Sequence, residues 1–157
     1  MSATAEDIQE EIYQWVTFLL GNEKYGINVM KVQEVLRVSE IAPVPGSPSY
    51  VLGIINLRGN VVTVIDTRQR FGLPPIEASE DARIVIVDVQ GQVIGMLVDR
   101  VAEVVDLKQT DIASAPDVGN EEKSKFIQGI TQHSKELLIL VDMDKLVDEE
   151  ADNIGSR

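Results

Sequence analysis

Few residues of this chain have the type and spacing for chemistry. Cysteine is absent, which excludes a disulfide scaffold, a thiolate metal site and a thiol nucleophile. The single histidine, His133, falls in a turn at Gln132–Lys135, where solvation accounts for it better than general-base work. Asp66 and Asp142 recur at matching places and resemble a carboxylate pair. Each, however, opens a short helix, where an aspartate caps free backbone N–H groups. The sequence holds no Gly-rich phosphate loop, no zinc-ligand spacing and no Gly-x-Ser-x-Gly elbow. The chain therefore reads as no enzyme, with no catalytic residue, cofactor or metal. What remains is recognition. Glu34 and Arg58 can form a bidentate, geometrically specific pair of carboxylate and guanidinium.

The formal net charge is −12, so phosphate backbones and anionic membrane surfaces repel the chain, and nucleic acid is not an expected partner. No apolar run approaches the roughly 18 to 20 residues of a membrane span. Met1 to Glu11 is small and acidic, without the basic and apolar regions of a signal peptide. The expectation is a cytoplasmic protein without direct membrane insertion. Loose tails are expected at Met1–Glu11 and Asp148–Arg157.

The elements that would position such residues are mostly strands. Short apolar runs rich in Val and Ile, such as Ile12–Leu20, Val51–Asn56, Val61–Ile65, Ile84–Val89, Val93–Val98 and Glu136–Val141, are separated by turn residues. Helical signals are brief: Thr67–Phe71 with Gly72 as the stop, and Met143–Val147. Val29, Val32, Val35 and Leu36 carry helical spacing in β-favouring residue types, so both readings stay open there. Ile41–Pro48, with three prolines, reads as a rigid loop framing the first barrel rather than as a polyproline ligand.

The chain also repeats itself. Tyr25–Val35 aligns with Ile94–Val104, placing Gly26 on Gly95, Val32 on Val101, Glu34 on Glu103 and Val35 on Val104. Ile41-Ala42 aligns with Ile112-Ala113, Gly53-Ile54 with Gly129-Ile130, and Val61–Asp66 with Leu137–Asp142. Two β units are read, about residues 12–72 and 83–147, joined through Pro74-Pro75 and Glu77–Asp81. Each is too small for its own core, so the two should share an apolar layer. The copies differ at one hairpin, where Asn56-Leu57-Arg58-Gly59 stands against Gln132-His133-Ser134-Lys135. Only the first copy has an arginine there. Gly59 is explained by a tight turn, but Leu57 and Arg58 are not. Val32, Val35, Val101 and Val104 fit either the core or a helix-binding groove between the units.

Taken together, Gln14–Gly21, Lys24-Tyr25-Gly26-Ile27, Val32-Gln33-Glu34-Val35, Gly53–Gly59 and Ile65-Asp66 resemble the CheW family of chemotaxis coupling proteins, as do Gly95–Asp99 and Leu138–Asp142. The resemblance covers about residues 12–147. It implies a mainly β fold of two five-stranded SH3-like barrels on a shared hydrophobic core, with a few short helices. It also implies a non-catalytic scaffold in the cytoplasm, recruited to membrane-anchored receptor arrays. The implied partners are the cytoplasmic tip of a chemoreceptor and the regulatory domain of a CheA-type histidine kinase, with rings of further copies left open. Functional weight falls on Glu34 and Arg58, on the apolar positions Val32 and Val104, and on Arg83 and Ile84. With the residues read above, the partner-binding set is Val32, Glu34, Val35, Leu57, Arg58, Gly59, Arg83, Ile84, Val101 and Val104. The alternatives are a small-ligand barrel with a closed pocket and a coupling protein of a non-flagellar pathway. A CheV-type fusion to a response regulator is not expected, since the chain ends soon after the second unit.

Overall fold

A computed structural model describes residues 11–114 and 125–146. Apart from Glu11, the two expected tails lie outside the described residues. Ten strands carry the fold: β1 (Ile12–Leu20), β2 (Glu23–Asn28), β3 (Val32–Arg37), β4 (Val51–Leu57), β5 (Asn60–Asp66), β6 (Arg83–Val89), β7 (Gln92–Val98), β8 (Arg100–Lys108), β9 (Ile127–His133) and β10 (Glu136–Val141). A short helix α1 spans Thr67–Arg70, and residues 143–146 are helical.

Local chemistry explains the punctuation. In the two-residue hairpin between β4 and β5, Arg58 has φ 50° and Gly59 φ 88°. The hairpin between β9 and β10 repeats this with Ser134 at 52° and Lys135 at 69°. Positive φ at both central residues is the turn whose twist matches that of paired strands. The Asp66 carboxylate accepts from Gln69 N at 3.3 Å, and Asp142 Oδ1 accepts from Asp144 N at 3.0 Å, so both aspartates are caps. The ambiguous segment divides between the two readings. Val29–Lys31 makes one 3-10 turn, capped by the Asn28 side chain, and β3 follows at once.

The sheet orders are β8-β1-β2-β10-β9 and β3-β6-β7-β5-β4. Each sheet thus takes strands from both sequence units, and neither unit forms a sheet by itself. The connections require this. Asp99 alone separates β7 from β8, too little chain for a hairpin, so β8 passes into the other sheet. Val29–Lys31 carries β3 across in the opposite sense.

The exchange is reciprocal. β5 lies parallel to β7 with Val64 opposite Gly95, and β10 lies parallel to β2 with Leu140 opposite Gly26. Both sheets then close in the same way. Ala42 and Ile54 exchange backbone hydrogen bonds of 2.9 and 2.8 Å, and Ala113 and Ile130 exchange bonds of 2.8 and 2.9 Å. Asp66 N donates to Tyr50 O at 2.7 Å, as Asp142 N does to Phe126 O at 2.7 Å. The Pro-rich loop therefore frames, through Ala42, the barrel of the second sheet, the one that carries the β4–β5 hairpin.

Alternation along the strands builds three apolar zones. Val85, Val87 and Val89 of β6 join Phe18, Tyr25 and Ile27 in a core shared by both sheets. Ile84 and Ile86 point the other way, with Ile55, Val62 and Val64, into the barrel of the second sheet. Trp15, Val105, Leu107, Leu138 and Leu140 fill the barrel of the first sheet. Strand β6 is buried on both faces, which is why it reads as a nearly unbroken apolar run.

Candidate partner-binding surface

Strand β3 is one edge of its sheet and β4 the other, and barrel closure brings these edges together. Glu34 of β3 thereby reaches the β4–β5 hairpin. Arg58 Nη1 donates to Glu34 Oε1 at 3.3 Å, and Arg58 Nη2 donates to Oε2 in a second, shorter bond. The pair is bidentate and open to solvent, with the Arg58 side chain 68% exposed and that of Glu34 28% exposed. Hydrogen bonding to Arg58 holds the Glu34 carboxyl below the usual carboxylate range. Beneath the pair the hairpin is braced: Gly59 N donates to Asn56 Oδ1 at 2.8 Å, and partly buried Leu57 packs on the barrel core.

The second copy treats its glutamate differently. Glu103 on edge strand β8 accepts from Lys24 Nζ at 2.5 Å, and the same Nζ lies 3.6 Å from Glu136. Lys24 belongs to β2, in the other sequence unit, so the cation has changed source. The hydrogen bond from Lys24 also lowers the Glu103 pKa. The absence of an arginine at the second hairpin is thus compensated from β2, and the exposed guanidinium fork belongs to the first copy.

The valines divide by register. Val32 pairs with Val87 and Val101 with Phe18, both shared-core residues, and each packs partly buried on that core. They seal the seam between the sheets. Val35 and Val104 stand farther along the two edge strands, 40% and 52% exposed. Arg83 opens β6 across from Arg37, its Nη1 donating to Glu80 O at 2.9 Å and Ala82 O at 2.7 Å. Ile84 requires a correction. It is 0% exposed and inside a barrel, because the residue after Arg83 on a strand faces the opposite side. Its side chain forms no part of any surface.

His133 ends β9 and pairs with Glu136 across the turn. Among the described residues no group of three or more His, Cys, Asp or Glu is placed to hold a metal. The barrel interiors are occupied by side chains no more than 5% exposed, such as Trp15 and Leu140 in one and Ile55 and Ile84 in the other, which leaves a small ligand little room.

Two features are not in the sequence-derived set. Arg68 of α1 holds Asp99, with Nε 3.0 Å from Oδ1 and Nη2 2.8 Å from Oδ2, and Gly21 N donates to Oδ2 at 2.6 Å. Burial pushes the Asp99 carboxyl up, but Arg68 and the Gly21 N–H together hold it below its ordinary value. Arg70 lies buried with its guanidinium 4.6 Å from the ring centres of both Tyr50 and Phe126. Both arginines join the two sequence units. A faint signal for the first existed: Asp99 aligns with Met30, a charge where the other copy has none.

Residues 14–151 match the family model for a CheW-like domain. The chain is 35% identical to the chemotaxis protein CheW of Treponema pallidum, over 88% of this chain and 84% of that protein. It is 30% identical to the chemotaxis protein CheW of Helicobacter pylori, over 93% of this chain and 88% of that protein. The crystal structure of the scaffolding protein TtCheW from Thermoanaerobacter tengcongensis superposes with a TM-score of 0.78 at 35% identity, covering 83% of this chain and 89% of that one.

Proposed function

The chain belongs to the CheW-like family, and from that premise we propose that it is a non-catalytic adaptor coupling chemoreceptors to a CheA-type histidine kinase. The observation that carries the proposal is the Glu34–Arg58 pair. It is bidentate, yet it stands where an ion pair gains folding little, so its value lies in the surface it organises. It fixes a charged fork on the hairpin that joins β4 and β5. Val35, the next residue along β3, projects from the opposite face as an exposed apolar contact. An exposed apolar side chain on an edge strand suits an amphipathic helix of the receptor tip. Val104 offers the corresponding apolar contact on β8. Arg83, at the start of β6 and exposed in part, serves the regulatory domain of the kinase.

No helix among the described residues is long and apolar enough to cross a membrane. In the proposed role, recruitment to arrays on the cytoplasmic side of the membrane runs through receptor contact. Further copies can join in rings, and the stimulus and pathway follow from the receptor bound.

Sedimentation of receptor-containing vesicles tests the proposal. The kinase should pellet with receptor to a much greater extent when this protein is present, and the protein should pellet with receptor alone. Unchanged kinase in the pellet, with the protein folded and in excess, overturns the adaptor reading.

A further inference from the structure

We infer that each half of this chain can be completed by the opposite half of a second copy, so that the fold carries a built-in partner: another molecule of the same chain. Residues 11–72 hold β1 to β5, and residues 83–146 hold β6 to β10. One sheet joins β1 and β2 to β8, β9 and β10, and the other joins β6 and β7 to β3, β4 and β5. The pairings β1 with β8, β2 with β10, β3 with β6 and β5 with β7 all cross between the halves. The surface each half offers is the same whether the complement comes from its own chain or from another.

The connector decides between these outcomes. Residues 74–81 are exposed, with Pro74 and Pro75 at one end. The connector's hydrogen bonds are local: Leu73 N to Arg68 O at 2.8 Å, Arg68 Nη1 to Pro74 O at 2.8 Å, and Ala82 N to Ser79 O at 3.1 Å. Arg83 Nη1 adds one more local bond, to Glu80 O at 2.9 Å, and none of these is a strand pairing, so the connector can straighten without breaking one. A short flexible connector supplies the complementary half at an effective concentration on the order of millimolar. The closed monomer therefore dominates in dilute solution, and exchange follows refolding at high concentration.

Arg68 and Asp99 give a direct test, because one lies in each half and they meet across the exchange. Full-length Arg68→Glu and Asp99→Arg each place like charges together in the monomer and in any dimer with themselves. In a heterodimer of the two, one lobe keeps Arg68 against Asp99, and the other pairs the two substituted side chains with signs reversed. The variants, differently tagged, are unfolded together and refolded as an equal mixture. The expected result is a species of twice the monomer mass carrying both tags, enriched about tenfold over the dimer either variant forms alone, the ratio that about 1.4 kcal/mol of restored pairing gives. Mixing the folded variants should give no such species. Folded variants that refold together only as monomers overturn the inference, as does equal heterodimer on native mixing, which would mean docking of intact surfaces. If neither variant folds, two differently tagged wild-type copies refolded at high concentration decide the question: both tags in one dimer support exchange, and separate monomers overturn it.

Discussion

Under the proposed function, Glu34 and Arg58 matter for coupling and not for holding the fold together. With Arg58 largely exposed, its attraction to Glu34 is screened by water. Arg58→Glu should keep a melting temperature close to wild type while losing receptor coupling on the order of tenfold or more. Glu34→Arg should do the same, and the double exchange should recover part of the coupling, as measured by a double-mutant cycle on binding. A double variant no better than the singles would mean that each residue meets its partner separately. Asp99 lies at the other extreme. Its side chain is 22% exposed and that of Arg68 13%, so Asp99→Asn should cost about 2 kcal/mol in urea unfolding. The folded-state pKa of Asp99 is depressed, so its contribution is present above the unfolded value of about 3.9 and is lost as pH falls through the folded value. The stability gap between wild type and Asp99→Asn should be flat at neutral pH and close as the solution is taken below about pH 4. The sequence revealed the first pair because Glu34 is matched by Glu103 in the second copy, whereas Arg58 has no arginine opposite it. It did not reveal the second, because Arg68 and Asp99 meet only through the exchange of strands.

Elements were legible where local chemistry decides them. Caps at Asp66 and Asp142 and the turn at Arg58-Gly59 follow from residue types and spacing. Sheet membership does not, because strands of like composition can pair in several ways. The signal was present in the aligned glycines, whose reason is steric. A Cβ on Gly53, where φ is 149°, would lie 2.1 Å from Ala42 O, and one on Gly129 would lie 2.9 Å from Ala113 O. These glycines let the closing segment approach the neighbouring strand. Gly53→Ala should therefore open the barrel of the second sheet and cost about 3 kcal/mol, measured by urea unfolding. Faster hydrogen exchange should accompany it at the Ala42 and Ile54 amides, which bond each other's carbonyls across the closure. Ile84 teaches the complementary lesson. Its neighbour Arg83 is partly exposed, and in a strand that alone places the next residue on the opposite face.

At the scale of the molecule, the two barrels should behave as one body. Each depends on strands from both sequence units, and the shared core joins Phe18 and Tyr25 of one sheet to Val85 and Met96 of the other. Thermal unfolding should be a single transition with equal calorimetric and van't Hoff enthalpies. Two separated transitions would mean that the barrels are independent. Such a body suits an adaptor, since a contact on one barrel is held in fixed relation to a contact on the other. The most direct test of that role is kinase autophosphorylation, followed in a reconstituted mixture of receptor, kinase and this protein. Adding wild-type protein should raise the phosphorylation rate and place it under control of the receptor's ligand, while folded Arg58→Glu should leave the kinase at its rate without the adaptor. A rate indifferent to the wild-type protein, or one that Arg58→Glu supports equally well, would contradict the account.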